Sequence, residues 1–265
     1  MPQKKHAHDK SNIVQAKRIL NDASPFELVE AFKVVRTNIL FSMPKTDSGK
    51  VILVTSSSPG EGKSTSSINL AITFAQLSAK VLLLDADLRA SRMNHYLGMA
   101  QVSGLSNILC GFSDFKSSVR RDVRPNLDIL FAGEIPPNPA ELLEHEGFSQ
   151  LIISLRETYD YVFIDTPPLV GITDAAIITK CADGVVLVIH EDVTNYDILD
   201  HAVDTLRKSG ARILGLLNIG ISPSKKSYAY SGYNSYHGYG YNNSRTSRSS
   251  AAVNHRVAPD DEDDL

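Results

Sequence analysis

Residues 56–65 read Ser-Ser-Ser-Pro-Gly-Glu-Gly-Lys-Ser-Thr. Two glycines two positions apart let backbone N–H groups turn inward and approach an anion with no Cβ in the way. Lys63 is a point charge suited to phosphate oxygens, and the Ser64 hydroxyl can serve a divalent cation. A helical pattern opens at Ser64, and its N-terminus adds unpaired donors and the positive end of a dipole. Phosphate is expected to lie against Ser58, Pro59, Gly60, Glu61, Gly62, Lys63, Ser64 and Thr65. The first glycine usual in such loops would fall at residue 57, where this chain has Ser57.

Two apolar runs end in carboxylates. Residues 81–84 precede Asp85-Ala86-Asp87-Leu88-Arg89, and residues 162–164 precede Asp165-Thr166-Pro167-Pro168. Mg²⁺ takes hard oxygen ligands and keeps several waters, so Ser64, Asp85 and Asp165 are its candidate ligands. Asp87 is a spare carboxylate able to accept a proton from an attacking hydroxyl. Arg89 would stabilise developing charge or hold its loop. Lys63, Asp85, Asp87 and Arg89 form the candidate catalytic set. The plainer reading of any one Asp here is a helix cap or a turn former.

Strands are expected at 51–55, 80–85, 127–131, 161–165, 184–190 and 212–219. Helices are expected at 24–42, 64–77, 92–97, 104–111, 140–144, 147–157, 173–180 and 196–208. Ser24-Pro25 with Glu27 reads as the capped start of the first. Continuous apolar strands separated by helices predict an α/β fold, a mostly parallel sheet with helices on both faces. Its strand C-termini share one edge, where ligands bind in such sheets. Residues 1–23 are polar and locally basic and are expected to be a mobile arm. Residues 24–221 form the domain. Residues 222–265 hold almost no aliphatic side chains and are expected to be disordered.

Composition narrows the function classes. The chain has 265 residues, 42% hydrophobic and 22% charged, with a formal net charge of −3. That balance argues against whole-molecule attraction to nucleic acid. No apolar run approaches the ~20 residues of a membrane helix. No apolar stretch follows the charges of the N-terminus, so no secretory signal is expected. Cys110 and Cys181 cannot by themselves make a disulfide framework or a metal cluster. A reducing, cytoplasmic setting is expected.

Together the three motifs resemble those of the bacterial tyrosine kinases of the polysaccharide co-polymerase system. That family's phosphate loop, its apolar run before Asp-x-Asp-x-Arg and its apolar run before Asp-x-Pro-Pro match residues 56–64, 81–89 and 162–168. Further likeness lies in Gly104-Leu105-Ser106, in 133–143 and in Thr173-Asp174-Ala175, so it spans roughly residues 24–241. The resemblance implies a P-loop NTPase fold, ATP and Mg²⁺ as cofactors, and phosphoryl transfer to protein tyrosine. It implies a homo-oligomer, as a ring, and a separate membrane-anchored activator that recruits the chain to the inner face of the plasma membrane, as in the Gram-positive form. A phosphotyrosine phosphatase as partner, no nucleic acid, and control of capsular or exopolysaccharide synthesis and export complete the expectation. Asn218, at the end of the last strand, sits where relatives contact adenine. It could equally be a turn former. The partitioning and cell-division ATPases are the alternative class. They carry an extra lysine five residues before the loop lysine, where this chain has Ser58.

Two regions outside the motifs extend the likeness. Glu30-x-x-Lys33-x-x-Arg36 is similar to the family's oligomerisation helix, with Lys33 where the family has arginine. Lysine keeps the charge but loses the planar fork. An ordinary helix surface with i,i+3 ion pairs is the other reading. Six of ten tyrosines, Tyr228, Tyr230, Tyr233, Tyr236, Tyr239 and Tyr241, lie among Gly, Ser and Asn. Base stacking or a phase-separating tail could use them. After a phosphate loop, with few basic neighbours, they read best as phospho-acceptors, and the family has such a cluster.

Overall fold

The computed structural model describes residues 18–45, 48–100 and 102–220. The phospho-acceptor tyrosines and residues 1–17 therefore lie outside the described residues. The chain runs α1 (Phe26–Ser42), β1 (Lys50–Ser56), α2 (Lys63–Ala75), β2 (Val81–Asp85), and short helices α3 (Met93–Tyr96), α4 (Leu105–Leu109) and α5 (Phe115–Ser118). It continues through β3 (Arg120–Arg124), β4 (Leu127–Leu130), α6 (Pro139–Glu144), α7 (Glu146–Thr158), β5 (Tyr161–Asp165) and α8 (Asp174–Ile178). A 3₁₀ turn at Thr179–Cys181, β6 (Gly184–His190), α9 (Tyr196–Lys208) and β7 (Ile213–Ile219) complete it. No helix among the described residues is long and apolar enough to cross a membrane.

The strands form one seven-stranded sheet in the order β3-β4-β2-β5-β1-β6-β7. β1 lies between β5 and β6, and β2 between β4 and β5, all in parallel. β7 adds in parallel at the β6 edge. The alternation of side chains along each strand feeds two cores. In β1, Val51 and Leu53 face one layer while Ile52 and Val54 face the other. The first layer packs α6, α7, α8 and α9 against the sheet, through residues such as Phe148, Ile152 and Leu206. The second packs α1 and α2, through Phe32, Ile39, Ile68 and Phe74. Phe74 meets Tyr161 and Phe163 edge-on at 4.7 and 4.9 Å, a favoured aromatic geometry.

Register decides where the acids go. Asp85 and Asp165 are the last residues of β2 and β5, and they stand directly opposite each other. Val54 of β1 is opposite Asp165, so the phosphate-loop strand runs two residues further, to Ser56. All three loops leave the same sheet edge.

Three local expectations need correction. The antiparallel edge strand β3 and the helix α5 have no counterpart in the predicted elements. β3 reads Arg-Arg-Asp-Val-Arg, is largely exposed, and carries a register shift against β4. An edge strand buried on neither face has no apolar run to announce it. Residues 18–23, expected within a mobile arm, instead have Ile19 and Leu20 buried in the α1–α2 core. Asn69 on α2 pins them: its Oδ1 accepts the Leu20 N–H and its Nδ2 donates to Arg18 O. At α1 the N-cap position belongs to Pro25, and Ser24 Oγ accepts the Asn21 N–H at 3.0 Å instead of capping the helix.

Candidate active site

The loop between β1 and α2 has the backbone its glycines predict. Gly60 and Gly62 take φ of 87° and 79°, where any side chain would be strained. A Cβ on Gly62 would lie 2.3 Å from Ile219 Cδ1 at the end of β7, whereas the space beside Gly60 is open. The segment after β5 zips onto this loop from below. Leu169 and Val170 N–H donate to the carbonyls of Ser56 and Ser57, and Thr55 Oγ1 donates to Pro167 O. The cradle is therefore held rigid on its β5 side.

The acids converge on Lys63. Its Nζ lies 2.9 Å from Asp87 Oδ2, 3.7 Å from Asp165 Oδ2 and 3.2 Å from Ser64 Oγ. Asp165 Oδ1 accepts the Ser67 hydroxyl at 2.9 Å, one turn into α2. Asp85 Oδ1 accepts the Asp87 N–H, and its Oδ2 accepts the Ser91 hydroxyl. Asp87 Oδ1 accepts the Ala90 N–H at 3.0 Å. The carboxylates thus keep fixed orientations with only one oxygen each of Asp87 and Asp165 turned to Lys63.

Electrostatics follow from this crowding. Burial pushes Asp85 up to about 8; the Asp165 charge adds to that, and the Ser91 hydrogen bond opposes it. Burial also raises Asp165, against the opposing pull of Lys63. For Lys63, burial acts to lower the pKa, but the Asp165 and Asp87 carboxylates outweigh it and hold the ammonium charged. With a single ammonium beside three buried carboxyl groups, burial favours the neutral forms of Asp85 and Asp165, and one more cation would favour the charged ones. Among the described residues no group of three or more His, Cys, Asp or Glu is placed to hold a metal alone. The Ser64 hydroxyl and the Asp85 and Asp165 carboxylates are hard oxygen donors, which fit a cation such as Mg²⁺ that takes one or two carboxylates and completes its shell with water and phosphate. The open cradle at Gly60 and the charged Lys63 likewise fit a nucleotide's phosphates.

A family described as an AAA domain matches residues 49–213. A tyrosine-protein kinase of Bacillus subtilis, YwqD, is 39% identical over 204 residues, covering 77% of this chain and 86% of its own. The kinase domain of the Escherichia coli tyrosine kinase ETK superposes with a TM-score of 0.71 at 30% identity, over 81% of this chain and 80% of that one. The chain belongs to the bacterial tyrosine kinases of the capsule and exopolysaccharide family. By that membership it is a protein-tyrosine kinase with a nucleotide-binding phosphate loop. The septum site-determining protein MinD of Pyrococcus horikoshii, at 24% identity and a TM-score of 0.55 over 63% of this chain and 69% of its own, shares the fold.

Other residues singled out in this kinase fall into place as follows. Arg89 makes no hydrogen bond or ion pair with Lys63's carboxylates. Its Nε and Nη2 grip both oxygens of Asp174 at 2.7 and 2.9 Å, and Asp174 is fully buried. It holds a loop: the pair ties the segment after β2 to the start of α8. Asn218 is exposed near the end of edge strand β7, next to the Ile219 that touches Gly62. On α1, Lys33 Nζ pairs with Glu30 at 2.7 Å, and Arg36 Nη1 donates to Thr73 O at the end of α2.

The Glu61 side chain has a role that motif reading misses. It is fully buried and accepts from Ser57 Oγ, from the Ser58 N–H at 2.8 Å and from Thr194 Oγ1 at 2.6 Å. Thr194 in turn accepts the His190 N–H at 2.9 Å. The phosphate loop is thus laced to the β6–α9 turn by a carboxylate that never reaches solvent. Nothing local marks Thr194, which is 133 residues away in sequence.

Proposed function

We propose that this kinase transfers the γ-phosphoryl group of ATP to Tyr228, Tyr230, Tyr233, Tyr236, Tyr239 and Tyr241 of a second copy. The observation that carries the reading is the convergence of Lys63, Asp85, Asp87 and Asp165 at the mouth of the glycine loop. Backbone donors of residues 60–65 hold the phosphates, and Lys63 neutralises charge as it builds. Ser64, Asp85 and Asp165 would hold Mg²⁺, which would supply positive charge against the phosphates. Asp87 takes the phenol proton. The phenol oxygen bonds to the γ-phosphorus as the bond from that phosphorus to the β–γ bridging oxygen breaks, leaving ADP and phosphotyrosine. Positioning and charge neutralisation supply most of the acceleration in such a transfer.

Reach supports transfer between copies. From Gly220 to Tyr241 the chain can span on the order of 70 Å when extended. Assembly is supported by α1, where Phe26, Val34 and Phe41 are exposed along one side at spacings of eight and seven residues. Large exposed apolar side chains on one helix face suit a subunit contact, and a closed ring is the proposed form. Each added phosphate brings about −1.5 to −2 charge, so multiple phosphates on one tail would loosen the assembly. A membrane-anchored activator would recruit the kinase to the inner face of the plasma membrane, and a phosphotyrosine phosphatase would reset it. The output is control of capsular or exopolysaccharide export.

The test is intact-mass and peptide mass spectrometry after ATP and Mg²⁺, beside Lys63→Ala, with and without the cytoplasmic segment of such an activator. Phosphates added at Tyr228–Tyr241 and absent from the variant are expected. ATP consumption with no phosphotyrosine in either arm would replace this reading with an ATPase switch.

A further inference from the structure

A cleft of about 70 Å³ opens beside the acid cluster, and no step above uses it. Leu88, Ala90 and Ser91 line it from the β2 loop, and Phe131, Ala132 and Ile135 from the segment after β4. We propose that this cleft receives the phenol ring of the acceptor tyrosine presented by a second copy of the chain. The inference rests on the kinase reading above and names the acceptor subsite within it.

Position is the first argument. Two consecutive lining residues bond to the carboxylates: the Ala90 N–H donates to Asp87 and the Ser91 hydroxyl to Asp85. The cleft therefore shares a wall with the residues that bond to the proposed base and to Asp85. The second argument is chemistry. The lining carries no charged side chain: Leu88, Ala90, Phe131, Ala132 and Ile135 are apolar, and Ser91 and Asn94 are its polar side chains. Such walls select a flat apolar group rather than a charged peptide. Ile135 stands at the cleft with 71% of its surface exposed, an apolar side chain with little packing of its own. The third is size. An enclosed cavity of ~150 Å³ takes a whole benzene. A smaller, open cleft admits a ring in part and leaves its hydroxyl outside, free to meet Asp87.

The far wall is braced. Leu105 and Ser106 N–H donate to the carbonyls of Phe131 and Ala132, and Ser106 Oγ donates to Glu134 O at 2.6 Å. Asn107 Oδ1 accepts the Glu134 N–H. The cleft is held open by α4 rather than by the ligand. The proposed occupant suits it, because the tail's tyrosines stand among Gly, Ser and Asn. Six of that segment's bulky side chains are phenol rings, beside one imidazole at His237. A serine hydroxyl has no ring to fill the cleft, so the same feature selects tyrosine.

The test uses the full chain with its six tail tyrosines changed to serine, so that no tail ring competes. The acceptor is a synthetic peptide spanning residues 226–243. Ile135→Ala is expected to raise the peptide KM about five-fold with kcat at saturating peptide little changed. Ala90→Leu, which fills the cleft from its exposed rim, is expected to raise it about ten-fold or more. Nucleotide affinity is read on the same preparations. An unchanged peptide KM in both variants overturns the proposal, as does a KM rise matched by an equal loss of nucleotide affinity. Failure of the parent chain to phosphorylate the peptide even with the activator segment present would instead sink the kinase reading on which this one rests.

Discussion

The phosphate loop is flanked by buried carboxylates of two kinds. On the side of β7, Glu61 is surrounded by neutral donors, a backbone N–H and the hydroxyls of Ser57 and Thr194. On the side of β2 and β5, Asp85, Asp87 and Asp165 share one ammonium and a few hydroxyl and amide donors. The first carboxylate is satisfied by dipoles that cannot leave. The second group is held by a lysine that phosphate oxygens can also bind. The same residue type therefore serves as a staple in one place and as an exchangeable charge in the other. What separates them is the nature of the partners rather than the depth of burial.

Changes on the β2–β5 side should cost rate, and those on the Glu61 side should cost affinity. Asp87→Asn keeps shape but removes the proposed base. The tyrosine phosphorylation rate should fall about 10²–10⁴-fold with nucleotide still bound, measured by single-turnover transfer and calorimetry together. Lys63→Ala removes the charge that meets the developing negative charge, and a fall in kcat of about 10²–10³-fold is expected, a range known for lost electrostatic donors. If Asp87→Asn instead left the rate within a few-fold of the parent, the assignment of a base on this side would be wrong.

Two smaller effects sharpen the contrast. Arg89→Ala leaves Asp174 buried without its two-pronged partner. Because Arg89 is itself partly exposed, a loss of about 2 kcal/mol in urea unfolding is expected, below the 3–5 kcal/mol of a fully buried pair. Arg89→Lys should recover only part of it, because lysine lacks the fork. Thr194→Val removes one neutral donor from Glu61. The Kd for nucleotide should rise several-fold while kcat at saturating ATP changes little, and Thr194→Ser should restore it. A Thr194→Val variant that loses kcat as much as affinity would erase the distinction between the two sides.

The sequence carries the part of this site that local pattern can encode. Continuous apolar strands place Asp85 and Asp165 at strand tips, and Gly60 and Gly62 announce the positive-φ turn before α2. The parallel sheet follows from strands and helices in alternation. What stays hidden depends on partners distant in the chain. Arg89 meets Asp174 across 85 residues and Glu61 meets Thr194 across 133, and neither spacing has a periodicity to read. β3 is missed because an exposed edge strand needs no apolar run. Ile19 and Leu20 are missed because two apolar residues in a polar stretch look like an arm until Asn69 is seen to hold them. Within one copy Lys33 pairs with Glu30 and Arg36 bonds to α2, contacts that a local helical spacing announces in the first case and not in the second.

The central claim is transfer from the Lys63 and Asp87 site of one copy to the tail of another. A chain carrying Lys63→Ala with all its tyrosines is mixed with a chain whose six tail tyrosines are serine, in ATP and Mg²⁺, with the activator segment where the parent needs it. The two are then separated by mass. The account predicts phosphate at Tyr228–Tyr241 of the Lys63→Ala chain at a rate far above that of the same variant alone. Phosphate absent from that chain, while the parent protein alone phosphorylates its own tail, would show that transfer stays within one copy and would contradict it.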